Sequence, residues 1–168
     1  MSSLLSALTA LPTRWEVAGT VHAPANAVAD LLLAVKPGRV SDDNLLVLAG
    51  MSAARRGAMT VLAGDLTGSY RAVGAGTDGQ VDIAVDLGLR AVAVQSWYGG
   101  VHTVTSAGDG TSRVSHRVHT VLPSHDRFPT PDDMESRLWS GLERVLRVIG
   151  DRLGRPTGDP MIVRATSH

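Results

Sequence analysis

The sequence predicts an α+β protein, a curved antiparallel sheet of about six to seven strands wrapped around one long C-terminal helix, with one or two short helices after the first strand. Three observations predict it. Residues 130–154 repeat apolar side chains at helical spacing. Residues 57–122 alternate with period two between short glycine-rich breaks. Residues 14–22 alternate alone and run into a proline-started helix.

The long helix is the clearest element. Met134, Leu138, Leu142, Val145, Leu146, Ile149 and Leu153 share one face. Thr130 stands at the N-cap position, Pro131 at the first helical one, and Asp132 and Asp133 where the helix dipole favours negative charge. Gly154 and Pro156 mark the end. Such a stripe needs a partner surface, and the strands before it supply one.

At the other end, 1–13 is expected to be a lead-in, frayed or forming a short surface helix. In 14–22, Trp15, Val17, Gly19 and Val21 point one way. Pro24 then starts a helix with Val28, Leu31, Leu32 and Val35 as its stripe, stopped by Lys36-Pro37-Gly38. Within 38–56, Asn44 to Leu48 reads as a short helix capped by Ser41-Asp42-Asp43, or as a strand; the polar residues ahead of the run favour the helix. Strands are expected at 57–63, 67–73, 80–87, 90–98, 101–107 and 111–122. Gly99-Gly100 and Gly108-Asp109-Gly110 are expected as hairpin turns. Short links make these strands antiparallel, and the first strand is expected to pair with the last.

Composition narrows the function. A chain of 168 residues supports one domain, placed at 14–154, with 155–168 as a tail. The formal net charge of zero argues against a nucleic-acid partner, and Arg55-Arg56 is the only adjacent basic pair. There is no cysteine, so disulfide and thiolate chemistry are excluded. The N-terminus lacks a basic stretch ahead of its apolar clusters, and the apolar runs are shorter than the roughly 20 residues of a membrane span. A soluble cytoplasmic protein is expected.

Three stretches resemble the helix-grip fold of the START and Bet v 1-like (SRPBCC) superfamily, in particular its polyketide cyclase/dehydrase-like branch. Val21-His22-Ala23-Pro24-Ala25-Asn26-Ala27-Val28 is similar to that family's strand-to-helix junction. Gly108-Asp109-Gly110-Thr111-Ser112-Arg113-Val114 is similar to its last hairpin, and 130–154 stands where the family keeps its gripping helix. The family's tryptophan after the junction is absent, with Ala29-Asp30 in its place, and 38–75 does not match. The resemblance implies a cavity between sheet and helix for a small hydrophobic or aromatic, polyketide- or lipid-like molecule. Its members include carriers, sensors, and cyclases or dehydratases.

Candidate chemistry follows from the hairpins. A turn at Gly99-Gly100 sets Trp97 opposite His102 and Gln95 opposite Val104. The next turn sets His102 opposite His116 and Val104 opposite Val114. One face then carries Gln95, Trp97, His102, Val104, Val114, His116 and Val118. The other carries Thr103, Thr105, Arg113, Ser115 and Arg117. His102 and His116 are the candidate proton shuttles, since imidazole titrates near neutrality. The alternative is two hydrogen-bonded histidines lining a wall or sitting at its open end. Trp97, Gln95, Val104, Val114, Val118, Tyr70, Trp139 and Leu142 are candidate ligand contacts; Trp139 also suits core packing or a homodimer contact. His119 falls on the opposite face from His116, so no metal site is expected, and no cofactor. Gly74-Ala75-Gly76-Thr77-Asp78-Gly79 spells a dinucleotide-binding run, but a strand follows where a helix is required, so it reads as a hairpin loop. Two functions outside catalysis remain open: a carrier or sensor with the same cavity, and an interaction module whose grip is filled by its own side chains.

Overall fold

The computed structural model describes residues 3–74, 79–121 and 131–163. Thr130, His125, Phe128 and His168 lie outside them. In chain order the elements are α1 (Leu4–Thr9), β1 (Trp15–Val21), α2 (Ala25–Leu32), β2 (Gly38–Arg39), α3 (Ala53–Gly57), β3 (Thr60–Ala63) and β4 (Ser69–Val73). Then follow β5 (Gln80–Asp86), β6 (Ala91–Gln95), β7 (Tyr98–Gly108), β8 (Thr111–Val121), α4 (Pro131–Leu153) and β9 (Met161–Val163). The strands form one antiparallel sheet of nine, ordered β2-β3-β4-β5-β6-β7-β8-β1-β9. It packs against α4 in a helix-grip arrangement. The first strand pairs with β8, as its alternation predicts. The two strands beyond the expected count are the short edge pieces β2 and β9; neither is long enough to show a period.

Helix α4 buries the predicted stripe. Met134, Leu138, Leu142, Val145, Leu146 and Ile149 are all 3% exposed or less. At roughly 1.5–3 kcal/mol per large apolar side chain fully buried, that stripe is the main hold on the helix. The end is a Schellman cap: Gly154 has φ +61°, and the Arg155 N–H donates to the Gly150 carbonyl. On the convex face of the sheet, α1 buries Leu5 and Leu8 against Ala91, Ala93 and Val101.

Two expectations are corrected. The hairpin between β6 and β7 turns at Ser96-Trp97, not at Gly99-Gly100, which lie inside β7. Glycine is needed there for close approach: a Cβ on Gly100 would stand 2.6 Å from Nε2 of His116. The shift pairs Gln95 with Gly99, which puts Gln95 on the convex face and not beside His102. The β7–β8 register is as expected, with His102 opposite His116 and Val104 opposite Val114.

The second correction concerns 38–56. Residues 45–49 form neither the expected helix nor a strand, and helix within 38–56 appears only at α3, just ahead of the strand expected from 57. Yet Leu45, Leu46, Val47, Leu48 and Ala49 are all buried. This irregular segment lies against α4, and a Cβ on Gly141 would meet Ala49 at 3.0 Å. A buried segment without regular structure must find partners for its backbone one by one. Asn44 donates to the carbonyls of Lys36 and Gly38 and accepts from the Ser41 N–H. The Leu45 N–H donates to the Ser41 carbonyl. The Ala49 N–H donates to the Tyr98 hydroxyl at 3.3 Å. Arg144, from α4, donates to the Leu46 carbonyl and to Asp42, which also accepts from Arg56. Burial pushes the Asp42 carboxyl up, but the two arginines outweigh it and hold its pKa below the usual value.

Arg144→Met removes the donor to Leu46 and one partner of Asp42, and is expected to cost about 2–3 kcal/mol. Tyr98→Phe leaves the buried Ala49 N–H unpaired, at about 1–2 kcal/mol. Urea midpoints measure both, with the exposed Arg147→Met as a control expected within about 0.5 kcal/mol of wild type. Midpoints equal to the control would mean that apolar contact alone holds the segment.

Candidate functional site

The concave face is built by alternation along each strand. Val92 and Val94 of β6, Gly100, His102 and Val104 of β7, Val114, His116 and Val118 of β8, and Val17 of β1 fall side by side in register. His102 and His116 meet face to face, with ring centroids 3.8 Å apart and planes at 16°. The ring of Tyr98 meets His116 edge-on at 5.8 Å, and Trp97 meets Tyr98 edge-on at 4.9 Å. Four rings thus run in contact from the β6–β7 turn into the core.

Both imidazoles are sealed. His102 is 1% exposed and His116 has no exposed surface. Among the described residues, Nδ1 of His102 and both ring nitrogens of His116 have no hydrogen-bond partner. Burial drives the pKa of His102 well below its ordinary value; the charges of His116 and Arg144 push the same way. Burial, with His119 second, lowers His116 to about 3. The rings are neutral at physiological pH, packed as flat, weakly polar core side chains. Tyr98 is likewise neutral, its hydroxyl raised to about 12 by burial.

The other candidates disperse. Val104, Val114, Val118 and Leu142 belong to the packed core. Tyr70 is half-buried on the inner face of β4, opposite Ile83. Trp139 donates from Nε1 to the Pro160 carbonyl at 3.0 Å and lines a groove of about 370 Å³ with Ile162 of β9, away from the histidines. His119 stands at a register shift of β8, its Nδ1 3.0 Å from the Leu11 carbonyl on the α1 side. Among the described residues no three His, Asp or Glu side chains converge as a metal site would need. The glycine run at 74–79 connects the antiparallel strands β4 and β5; its residues 75–78 lie outside the described ones.

Open space appears at the mouth of the grip. A cleft of about 330 Å³ lies between α3 with its flanking residues and the tips of β4–β5 and β6–β7. Met51, Ala58, Met59, Val81 and Trp97 give it an apolar lining; Arg55, Gln80 and Ser96 supply polar groups. The Arg137 guanidinium lies over the Trp97 ring, 5.6 Å from its centroid. Of these residues the sequence singled out only Trp97 as a ligand contact. Met51 and Met59 sit in or beside an aperiodic stretch, and no pattern marks them.

No known family profile matches the sequence, and no curated protein does. Solved structures do resemble it. A Thermus thermophilus protein is 16% identical, covering 82% of this chain and 96% of its own, with a TM-score of 0.44. The Zhui aromatase/cyclase from a Streptomyces species is 15% identical, covering 83% and 92%, with a TM-score of 0.43. A conserved protein from Geobacillus kaustophilus is 8% identical, covering 85% and 99%, at 0.41. At these identities the likeness is one of fold. Among the described residues no helix is long and apolar enough to cross a membrane.

The sealed histidines predict a pH dependence. Their folded pKa values lie below the unfolded value, so the unfolded chain takes up protons first as pH falls. Stability is complete above about pH 6.5 and is lost below it. Between pH 6.5 and 5 the loss is about 2 kcal/mol for His116 alone, and His102 adds to it. The Asp42 contribution is lost only lower, as pH falls below 3.8. Urea midpoints across pH 5–7 measure the slope, which His102→Phe with His116→Phe should largely flatten. Equal slopes in wild type and double variant would mean that the rings titrate normally.

Proposed function

We propose that this chain binds a small apolar or aromatic molecule in the cleft at the mouth of the grip, with its body on Met51, Ala58, Met59 and Val81 and a flat face against Trp97. One observation carries this reading: the cleft has apolar walls and a volume of about 330 Å³, inside the range of small-molecule sites. Deeper in, the space that would serve a larger ligand is taken by Leu45, Leu46, Val47 and Leu48. A carrier or sensor of a compact ligand fits this geometry better than an enzyme folding a long reactive chain.

In this reading His102 and His116 are packing groups. A general base must come within about 2.6–3.2 Å of the proton it takes, or reach it through one water. Both rings are instead covered by core side chains. A cyclase or dehydrase role for the pair is the second reading. The continuous ring contacts from Trp97 through Tyr98 to the histidines favour it, and it requires the 44–50 segment to leave the grip.

The neutral fluorophore N-phenyl-1-naphthylamine tests the first reading. Saturable one-to-one binding is expected, lost in Ala58→Phe, which fills the cleft from an exposed position, and weakened about ten-fold in Trp97→Ala. Binding unaffected by either change would place the site elsewhere. In ¹³C-histidine-labelled protein the ring signals of His102 and His116 should hold still on binding. Displacement of those signals into solvent-like positions would favour the catalytic reading.

A further inference from the structure

We infer that the stacked pair of His102 and His116 is an acid-operated latch: a proton taken up by the pair drives segment 44–50 out of the grip and opens the space between the sheet and α4. The latch acts on the interior, whether or not a molecule occupies the cleft at the mouth. The two rings lie 3.8 Å apart, with His102 1% exposed and His116 fully buried. Among the described residues, Nδ1 of both rings and Nε2 of His116 have no hydrogen-bond partner. What faces them is apolar, neutral or positive. β6 sets Val92 beside His102, and β1 sets Val17 beside His116. The carboxylate of β1, Glu16, pairs instead with Arg113 and Arg117. β7 brings Tyr98 edge-on to His116, and β8 brings His119, whose charge acts on His116. Segment 45–49 carries no titratable side chain, and α2 leaves its only one, Asp30, exposed. From α4 comes Arg144, whose charge acts on His102. Among the described residues no carboxylate acts on either ring.

Two holders of the segment are themselves neighbours of the pair. The Ala49 N–H donates to the hydroxyl of Tyr98, whose ring meets His116. The Leu46 carbonyl accepts from Arg144. A proton on the pair places a cation near Arg144, with no counter-charge, in space that water does not reach. Water must enter for that charge to be carried. β7 and β8 are tied by a long ladder and α4 by its own turns, whereas residues 45–49 are held by single hydrogen bonds. The segment is therefore the part that yields. In the closed form the pKa of His116 is lowered to about 3 and that of His102 well below its ordinary value; once solvated, both return to about 6.5. The open form thus binds protons first as pH falls, and closure is complete only above about pH 6.5. Between pH 7 and 5, His116 alone shifts the balance toward the open form about 25-fold, and His102 adds to it. In the opened form the imidazoles reach solvent and any ligand held there.

Amide hydrogen exchange at pH 7 and pH 5, corrected for intrinsic rates, tests the latch. The amides of 45–49 are expected to lose at least about 25-fold in protection at pH 5, while those of β8 and α4 lose far less. His102→Phe with His116→Phe should hold the protection of 45–49 constant between the two pH values. Should that variant lack a native amide spectrum, His102→Phe alone carries the test and must reduce the change. Tyr98→Phe should speed exchange at Ala49 already at pH 7 and leave the pH ratio as it is, since both rings remain. Protection lost in parallel across 45–49, β8 and α4 would be global unfolding and overturns the latch. So does protection of 45–49 that is equal at both pH values in the wild type, or a loss that is undiminished when the rings are replaced.

Discussion

An irregular stretch of backbone buried inside the grip is the constraint on which the rest of this structure depends. Residues 45–49 place aliphatic side chains in the space between sheet and α4, where they contribute as core. Their amides and carbonyls come with them, and neither a helix nor a strand satisfies those groups. The surrounding structure does so with specific partners: the Ser41 carbonyl for the Leu45 N–H, the Tyr98 hydroxyl from the sheet for the Ala49 N–H and the Arg144 guanidinium from α4 for the Leu46 carbonyl. Arg144 is itself held by Asp42, which Arg56 grips from α3. One partly buried ion network thereby joins α4, the segment and α3.

That filling decides where chemistry is available. With the interior occupied, the histidines of β7 and β8 become a stacked, neutral pair. Gly100 leaves the gap that the His116 ring occupies, and the neutral state follows from burial. Among the described residues, an apolar cleft lies at the rim, where α3 and the hairpin tips do not meet. The chain of rings from Trp97 to His102 ties that rim to the core, so a side chain at the cleft and the buried pair belong to one packed unit.

Much of this was legible in the residues. The α4 stripe, the alternation of β1, β5 and β8, and the facing of His102 with His116 all follow from period and turn chemistry. Gln95 did not follow. A Gly-Gly pair is a good turn in isolation, but here it serves close approach of Thr120, Leu8 and His116, and the turn falls to Ser96-Trp97. Local turn preference lost to packing from partners far away in the chain.

By itself the sequence determined the layers: which face of each strand and of the long helix is apolar, and so that a sheet closes on a terminal helix. Those are local properties, set by spacing along one segment. The tertiary structure alone decided what fills the grip and what remains open. The burial of 45–49 depends on hydroxyl and guanidinium partners from elsewhere, such as Tyr98 and Arg144, tens of residues distant. The cleft is a gap left between elements that no single segment encodes.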